Sequence, residues 1–513
     1  MKYLYGFLIV GFVLLLGSCR KDFETEPSSG KLEFSKDTVY LDTVFSNIGS
    51  STYNLTVHNN SDEDITIPTI KLGRGESSNY RLNVDGVPGK SFENVDILAK
   101  DSIYIFVETT NNIEDLTSTE TEFLYTDAIE FDSGSNQQKV ELVTLIQDAI
   151  FLYPELFDDG TTEELIFGYD EDGNAITEKG FFLDDSELNF TNQKPYVIYG
   201  LAAVPSGKTL NIEAGARVHF HEESGIIVAE DASLHVNGEV SATENQENEV
   251  IFEGDRLEPG FSDVPGQWFA IWLTEGSTNN IINHATIKNA TVGILMDSND
   301  GTANPTLTVT NTQIYNSSNV GLLARTGNVV GENLAINNSG QASLNLSLGG
   351  KYNFTNCTFA NYWRNGFRNF PSVLIENNLE TAETLFVADL IEANFYNCII
   401  YGNENLELLF NKVEDASFNY KFENCLIRFN DFQNQFDDNP LYDFEDASLF
   451  ENVVLNEEPL FLNTEENELF ISEESPANGL GNPSTATQVD ILGNPRGNNP
   501  DAGAYESIVF PEE

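Results

Sequence analysis

The chain of 513 residues carries 82 acidic against 25 basic side chains, a formal net charge of −57. A field of that sign and size repels nucleic acid and anionic lipid headgroups, and it opposes a bare anionic polysaccharide as ligand unless cations bridge. With 40% hydrophobic residues the chain is globular, and its length suggests two or three domains.

Residues 1–18 read as a processing segment. Lys2 supplies a positive start, and Leu4 to Leu16 is an apolar run too short to span a bilayer comfortably. The run ends in Leu16-Gly17-Ser18-Cys19, which resembles the lipobox of bacterial lipoproteins. That resemblance implies cleavage before Cys19 and lipidation of Cys19, with the lipid as the membrane anchor. Arg20-Lys21-Asp22-Phe23-Glu24 looks like the charged signal some Gram-negative bacteria use to send lipoproteins to the cell surface. It implies an outer-membrane protein facing the exterior, with residues 19–30 as a lipidated tether.

From 31 to 148 the residues alternate strictly. Val39-x-Leu41, Tyr53-x-Leu55-x-Val57, Ile65-x-Ile67, Tyr80-x-Leu82-x-Val84, Ile103-x-Ile105-x-Val107 and Val140-x-Leu142 are separated by turn clusters such as Asn59-Asn60-Ser61-Asp62. Short strands at this spacing predict an antiparallel β-sandwich of immunoglobulin-like type. It looks like the Ig-like modules found behind lipoprotein anchors, which implies a spacer. His58 is expected on a strand surface.

Residues 149–195 are acidic and irregular, a connector or cap. Asp170, Asp172 and Asn174 suggest a calcium loop, but Gly173 falls too early for the EF-hand order of ligands. A hairpin turn at Asp172-Gly173 is the commoner outcome. No cofactor is called for, and calcium is left open.

From 196 to 506 a short phrase recurs: Phe354-x-Asn356-Cys357-x-Phe359, Phe395-x-Asn397-Cys398-x-Ile400, Phe422-x-Asn424-Cys425-x-Ile427. Weaker copies surround Ile287, Ile314 and Ile336, so the steps from Ile287 to Ile427 are 27, 22, 23, 41 and 27 residues. Strand period followed by a turn, at twenty-odd residues per unit, makes a solenoid of stacked coils. Left-handed backbone suits Asn at the corners, where stacked amides can bond one another. The 41-residue step predicts an outward loop from about Phe370 to Thr384. Cys357, Cys398 and Cys425 are read as a row of small buried thiols rather than a metal site, since no His accompanies them.

The order Val204 to Phe220, Gly225 to Val228, Leu234 to Gly238, Val250 to Phe252, then Gly266-Gln267-Trp268, closely resembles right-handed parallel β-helix domains of the pectate-lyase-like superfamily. So does the far end, with Asp490-Ile491-Leu492-Gly493-Asn494-Pro495-Arg496 and Asp501-Ala502-Gly503-Ala504-Tyr505-Glu506. The implied fold is all-β: an N-terminal sandwich, a right-handed parallel β-helix over 196–506 and a tail over 507–513.

Such a fold hosts lyases, hydrolases and non-catalytic surface proteins alike. Polygalacturonases of this fold carry Gly-His-Gly and Arg-x-Lys. Here His58, His219, His221, His235 and His284 never stand between glycines, and Arg-x-Lys is missing. Of the scarce cations Arg325, Arg364, Arg368 and Arg428, the pair Arg364 and Arg368 near Asp389 and Glu392 is the best candidate for a lyase base beside a metal-bound uronate. Pairing with local carboxylates is the blander alternative and the favoured one. His219 and His221 share a strand face with Glu222 and Glu223 close by, where a solvated face outranks a metal site. Trp268 and Trp272, four apart, are expected on one face as packing. The favoured reading is a surface-exposed scaffold binding a protein partner in the outer membrane or a surface glycan. The other is a polysaccharide lyase or glycoside hydrolase with its site on the coils between 360 and 430.

Overall fold

The computed structural model describes residues 25–115, 122–170, 172–382 and 384–511. Cys19 and the rest of the processing segment lie outside them. The chain divides into two compact units, Met1–Asp148 and Ala149–Glu513.

The first unit is a β-sandwich. One sheet joins Ile65–Leu72, Glu122–Phe131, Gln138–Gln147, Thr38–Phe45 and Ser91–Ile97; the other joins Tyr53–His58, Ser102–Thr109 and Tyr80–Val84, with short edge strands on each. The alternating apolar residues meet between them. Val39, Leu41, Leu55, Val57, Ile67, Leu82, Ile105, Val107, Val140 and Leu142 are all buried in one cluster. Most pairings are antiparallel, while Gln138–Gln147 and Thr38–Phe45 run parallel.

The second unit is a parallel β-helix of three sheets, called here A, B and C in the order the chain visits them. Sheet A stacks Leu201–Val204, Gly225–Val228, Trp268–Leu273, Ala290–Met296 and their successors to Leu408–Asn411. Sheet B runs from Asn189–Phe190 to Phe450–Glu451, and sheet C from Ile150–Leu152 to Val454–Leu455. On sheet C, Ile287, Ile314, Ile336, Phe359, Ile400 and Ile427 are register partners in one fully buried row.

The repeated phrase proves to be a corner rather than a strand followed by a turn. Its Phe ends sheet B, its Asn makes a one-residue turn, and its Cys opens sheet C. His284, Asn311, Asn333, Asn356, Asn397, Asn424 and Asn452 hold φ between 46 and 55° at this corner, a region Asn tolerates because its short amide bonds locally. Asn333 Nδ2 donates to Asn311 Oδ1 at 2.9 Å, and at the next corner Asn338 Nδ2 donates to Asn316 Oδ1 at 2.6 Å. Phe354, Phe395, Phe422 and Phe450 stack inside with centroids 5.3, 4.7 and 5.5 Å apart. Cys357, Cys398 and Cys425 are free and buried, with Cys398 between the other two.

Three boundaries differ from the sequence reading. Residues 149–195 are the first coil: Ile150–Leu152 pairs with Tyr196–Ile198, Gly180–Phe182 with Leu201–Ala203, and Asn189–Phe190 with Asn211–Ile212. Coil pairings of two or three residues inside an acidic stretch leave too little pattern to read. The long step between Phe359 and Ile400 is also not one loop, because Val373–Glu376 continues sheet A. Its extra residues make two excursions, 362–372 and the hairpin Asn378–Glu380 with Leu385–Val387.

At the other end the coils stop at Leu455, not at 506. The remaining chain folds back as a strap over the outside of sheet C. Leu469, Ile491, Ala504 and Tyr505 cover Ala335 and Ala360, while Ile471, Ala477 and Ala502 cover Ile399, Tyr401 and Leu426. This explains why the late coils carry apolar residues on both sides of the strand. The corner asparagines hold the strap: Asn356 Nδ2 donates to Asp501 O at 3.0 Å and Asn424 Nδ2 to Leu480 O at 2.7 Å. The Asp-Ala-Gly-Ala-Tyr-Glu motif is its clasp. Arg496 bridges Glu506 Oε1 at 2.6 Å and Gly503 O at 2.8 Å. Gly503 has φ +97°, and a Cβ there would meet Ile399 Cδ1 at 2.7 Å, so any side chain would strain the backbone and crowd its neighbours. Within the expected tail, residue 508 is tied by Ile508 N donating to Ile471 O at 2.9 Å.

Candidate functional site

The cations singled out from sequence are placed apart, each in its own contact. Arg368 is buried, with Nη1 2.9 Å from Glu407 Oε2 and Nη2 2.7 Å from Glu407 Oε1. Further bonds run to Asn361 O and Asn403 Oδ1, and Glu407 also accepts the Ser372 and Glu404 amides at 2.7 and 2.8 Å. This pair anchors the 362–372 excursion. Arg364 lies outside, 3.5 Å from Glu465 in the strap. Asp389 is exposed and accepts from Ser417 N and Oγ at 2.8 and 2.9 Å, bonds that hold its carboxyl below the usual range. Arg325 pairs with Asp297, and Arg428 reaches Glu458 at 3.6 Å over the Tyr401 ring.

Asp170, Asp172 and Asn174 form the turn of the hairpin Glu164–Tyr169 with Ala175–Phe182. Asp170 Oδ1 accepts the Asp172 and Asn174 amides at 2.9 and 2.8 Å, and Oδ2 accepts Asn174 Nδ2 at 2.9 Å. Among the described residues no group of three or more metal-ligating side chains comes together.

The two histidines do not share surroundings either. His219 is buried rather than solvated, with Nδ1 3.3 Å from Gly254 O and 3.7 Å from Glu253 Oε1. Stacking of coils makes a row here of His219, Glu253, Lys288 and Tyr315. Burial pulls the His219 pKa down. Burial also opposes the Glu253 charge, but His219 and Lys288, 2.8 Å away, outweigh it and hold that carboxyl below its ordinary range. His221, by contrast, is exposed, bonds Asp255 at 2.8 Å and stacks on Tyr199 at 4.4 Å.

Trp268 and Trp272 lie on opposite faces. Within Trp268–Leu273 both Phe269 and Ala270 pack on the outer face, which breaks the alternation and reverses the sides taken by the later residues, and the register against Ala290–Met296 shifts beside this point, between Ala270 and Ile271. Trp268 is inside, stacked on Phe220 at 4.2 Å. Trp272 is outside and lies flat against Phe167 of the hairpin, centroids 5.2 Å apart, with Phe269 edge-on at 5.9 Å. Its indole N–H donates to Asp297 Oδ2 at 2.5 Å.

These outward aromatics line a cleft between the hairpin and sheet A. One cavity of about 540 Å³ is bounded by Phe167, Ile176, Glu178, Glu222, Glu223, Trp268, Phe269 and Trp272. A second, about 530 Å³, shares Glu178, Leu201, Glu222 and Glu223 and extends past Tyr199 and His221. Volumes of this size suit small-molecule and sugar ligands. Glu223 holds φ +62°, a strained backbone for a non-glycine residue at the cleft's rim. Burial and the Asp255 charge push the Tyr199 hydroxyl up to about 12, so it stays a donor at neutral pH. Farther along sheet A the outward row is Leu295, Leu323, Asn345, Leu374 and Leu409, with no carboxylate among them.

No protein family model matches the chain, and no curated protein matches it. Among solved structures, the catalytic unit of a thermostable GH87 alpha-1,3-glucanase from Streptomyces thermodiastaticus is similar over 73% of this chain and 74% of that one, at 11% identity and TM-score 0.30. A GH87 alpha-1,3-glucanase catalytic domain in complex with tetrasaccharides covers 73% and 82% at 11% identity and TM-score 0.20. A family 123 glycoside hydrolase from Clostridium perfringens matches 23% of this chain at 9% identity and TM-score 0.16, and the chain spans 26% of that enzyme. At these scores none of the three bears on the chemistry of this chain.

Proposed function

We propose that this is an outer-membrane lipoprotein, anchored through Cys19 and facing the exterior, whose β-helix is a non-catalytic scaffold for a protein partner or a glycan. The observation that carries the reading is the separate engagement of the cations. Lyase chemistry needs a base beside a neutralised uronate carboxylate. Arg368 is locked onto Glu407 in the interior, Arg364 is held toward the strap, and Asp389 caps a turn. With the later coils of sheet C covered by the strap, sheets A and B remain as long faces for binding, as in other solenoids.

A glycoside hydrolase is the second reading, favoured by three carboxylates, Glu178, Glu222 and Glu223, around one cavity. Hydrolysis requires two carboxyl groups with opposed protonation on either side of the scissile bond. The test incubates the purified chain with pectin, alginate and neutral glycans, with and without calcium, beside Arg364→Ala, Asp389→Ala and Glu222→Gln. No reducing ends and no unsaturated uronates are expected. Turnover lost in Glu222→Gln establishes the hydrolase, and turnover lost in the other two establishes a lyase.

A further inference from the structure

We infer that the cleft between the 164–182 hairpin and the first coils of sheet A binds an uncharged oligosaccharide, a proposal that names a ligand class for the scaffold reading and rests on it. Three features point to that class. First, Trp272, Phe167 and Phe269 are packed on one another, flat and edge-on, and form a broad apolar wall rather than a cage around a point. A wall of this kind matches the C–H face of a pyranose ring, whereas a cation is held by rings that each present a face to it.

Second, most of the charge opposite belongs to acceptors, with Lys179 and the Tyr199 hydroxyl as donors in the second cavity. Glu178, Glu222 and Glu223 line both adjoining cavities, and among the described residues none of their carboxylates has a hydrogen-bond or ion-pair partner. Ionised carboxylates accept hydrogen bonds and donate none, so they suit ligand hydroxyls. Uronates and sulfated sugars would bring like charge to three carboxylates on a protein of net charge −57. Third, the space continues from one cavity into the next through four shared residues, so a chain of rings fits better than a single one. Trp272 is already satisfied by Asp297, which fixes the ring before a ligand arrives.

The trial is isothermal titration of the purified full chain with maltohexaose, cellohexaose, mannohexaose, xylohexaose, hexagalacturonate and hexalysine. At least one neutral hexasaccharide is expected to bind. Trp272→Ala and Phe167→Ala are each expected to weaken it at least ten-fold, while Trp272→Phe retains most affinity and shows that the fold survives. Glu222→Gln with Glu223→Gln keeps acceptors, so neutral binding falls only a few-fold, and hexagalacturonate binding improves. Silence of every neutral probe, binding indifferent to both aromatic truncations, or binding of hexalysine alone overturns the proposal and leaves the scaffold reading standing. Cleavage of a bound hexasaccharide does the reverse: the cleft stands and the non-catalytic reading falls.

Discussion

Glu407→Ala tests whether Arg368 belongs to structure or to chemistry. The guanidinium and carboxylate are almost wholly buried, at 1% and 0% side-chain exposure, and joined by two parallel bonds of 2.7 and 2.9 Å. Removing one member of such a pair leaves an uncompensated interior charge, which costs about 3–5 kcal/mol. Two backbone amides, Ser372 and Glu404, lose their acceptor at the same time. A solenoid opens locally rather than all at once, so the loss falls on the 361–411 coil. At about 1.4 kcal/mol per factor of ten, the open population there rises roughly 10²-fold to several thousand-fold. Amide hydrogen exchange followed by mass spectrometry reads this directly, as faster exchange at Ser372 and Glu404 with the first coils unchanged. The double variant Arg368→Leu with Glu407→Leu strands no charge and regains part of the protection. Exchange at Ser372 that moves less than three-fold in Glu407→Ala would refute the reasoning, because the pair would then behave as a surface bridge.

Three further outcomes rest on the same geometry. Thiol labelling of Cys357, Cys398 and Cys425 is slow in the native protein and complete on unfolding, since burial and the neighbouring thiols push Cys398 well above the ordinary range; Phe359→Ala costs about 3–5 kcal/mol locally and speeds that labelling. The His219 pKa is lowered from 6.5 by burial, so the unfolded chain binds its proton first, stability falls as pH drops below about 6.5, and His219→Gln flattens denaturation midpoints measured between pH 6.5 and 5. Cys19→Ala leaves the protein unprocessed or soluble, whereas the wild type partitions with the outer membrane; recovery of the wild type in the aqueous phase of a detergent partition contradicts the anchor.

The row from Ile287 to Ile427 was readable because each member obeys a local rule: an apolar residue three places after a corner Asn or its His284 counterpart, with a cysteine between them in the last three. Stacking is then a consequence of the spacing alone. What escaped the sequence depends on residues far apart. Whether Arg368 faces solvent or Glu407 is decided 39 positions away, and nothing in Arg-Asn-Phe-Pro marks the partner. Apolar residues on both sides of the late sheet C strands did carry a signal for the strap. Ile399 beside Ile400 and Leu426 beside Ile427 require a second covering layer, since an outer face that met water would alternate with polar residues. The long tail after Leu455 was the available cover.

The cleft was hidden by one residue of register. Strict alternation puts Trp268 and Trp272 on the same side, and inside both would have been unremarkable packing. Two successive outward residues, Phe269 and Ala270, break the alternation and send one indole in and the other out, a difference no periodicity count detects. A bulge in a regular sheet re-aims a side chain, and such irregularities gather beside binding sites. Here the irregularity aims Trp272 at the 164–182 hairpin, where Phe167 meets it. The same outward pair widens the apolar wall by a residue. Beside it, Gly293 is the extra residue of the partner strand, between Val292 and Ile294. Deleting Gly293 should shift that strand against Trp268–Leu273 and disturb the seat of Trp272 on Phe167. The measured outcome is a fall in neutral-sugar binding together with a changed tryptophan emission. Retained binding with unchanged emission would show that the bulge does not set the wall.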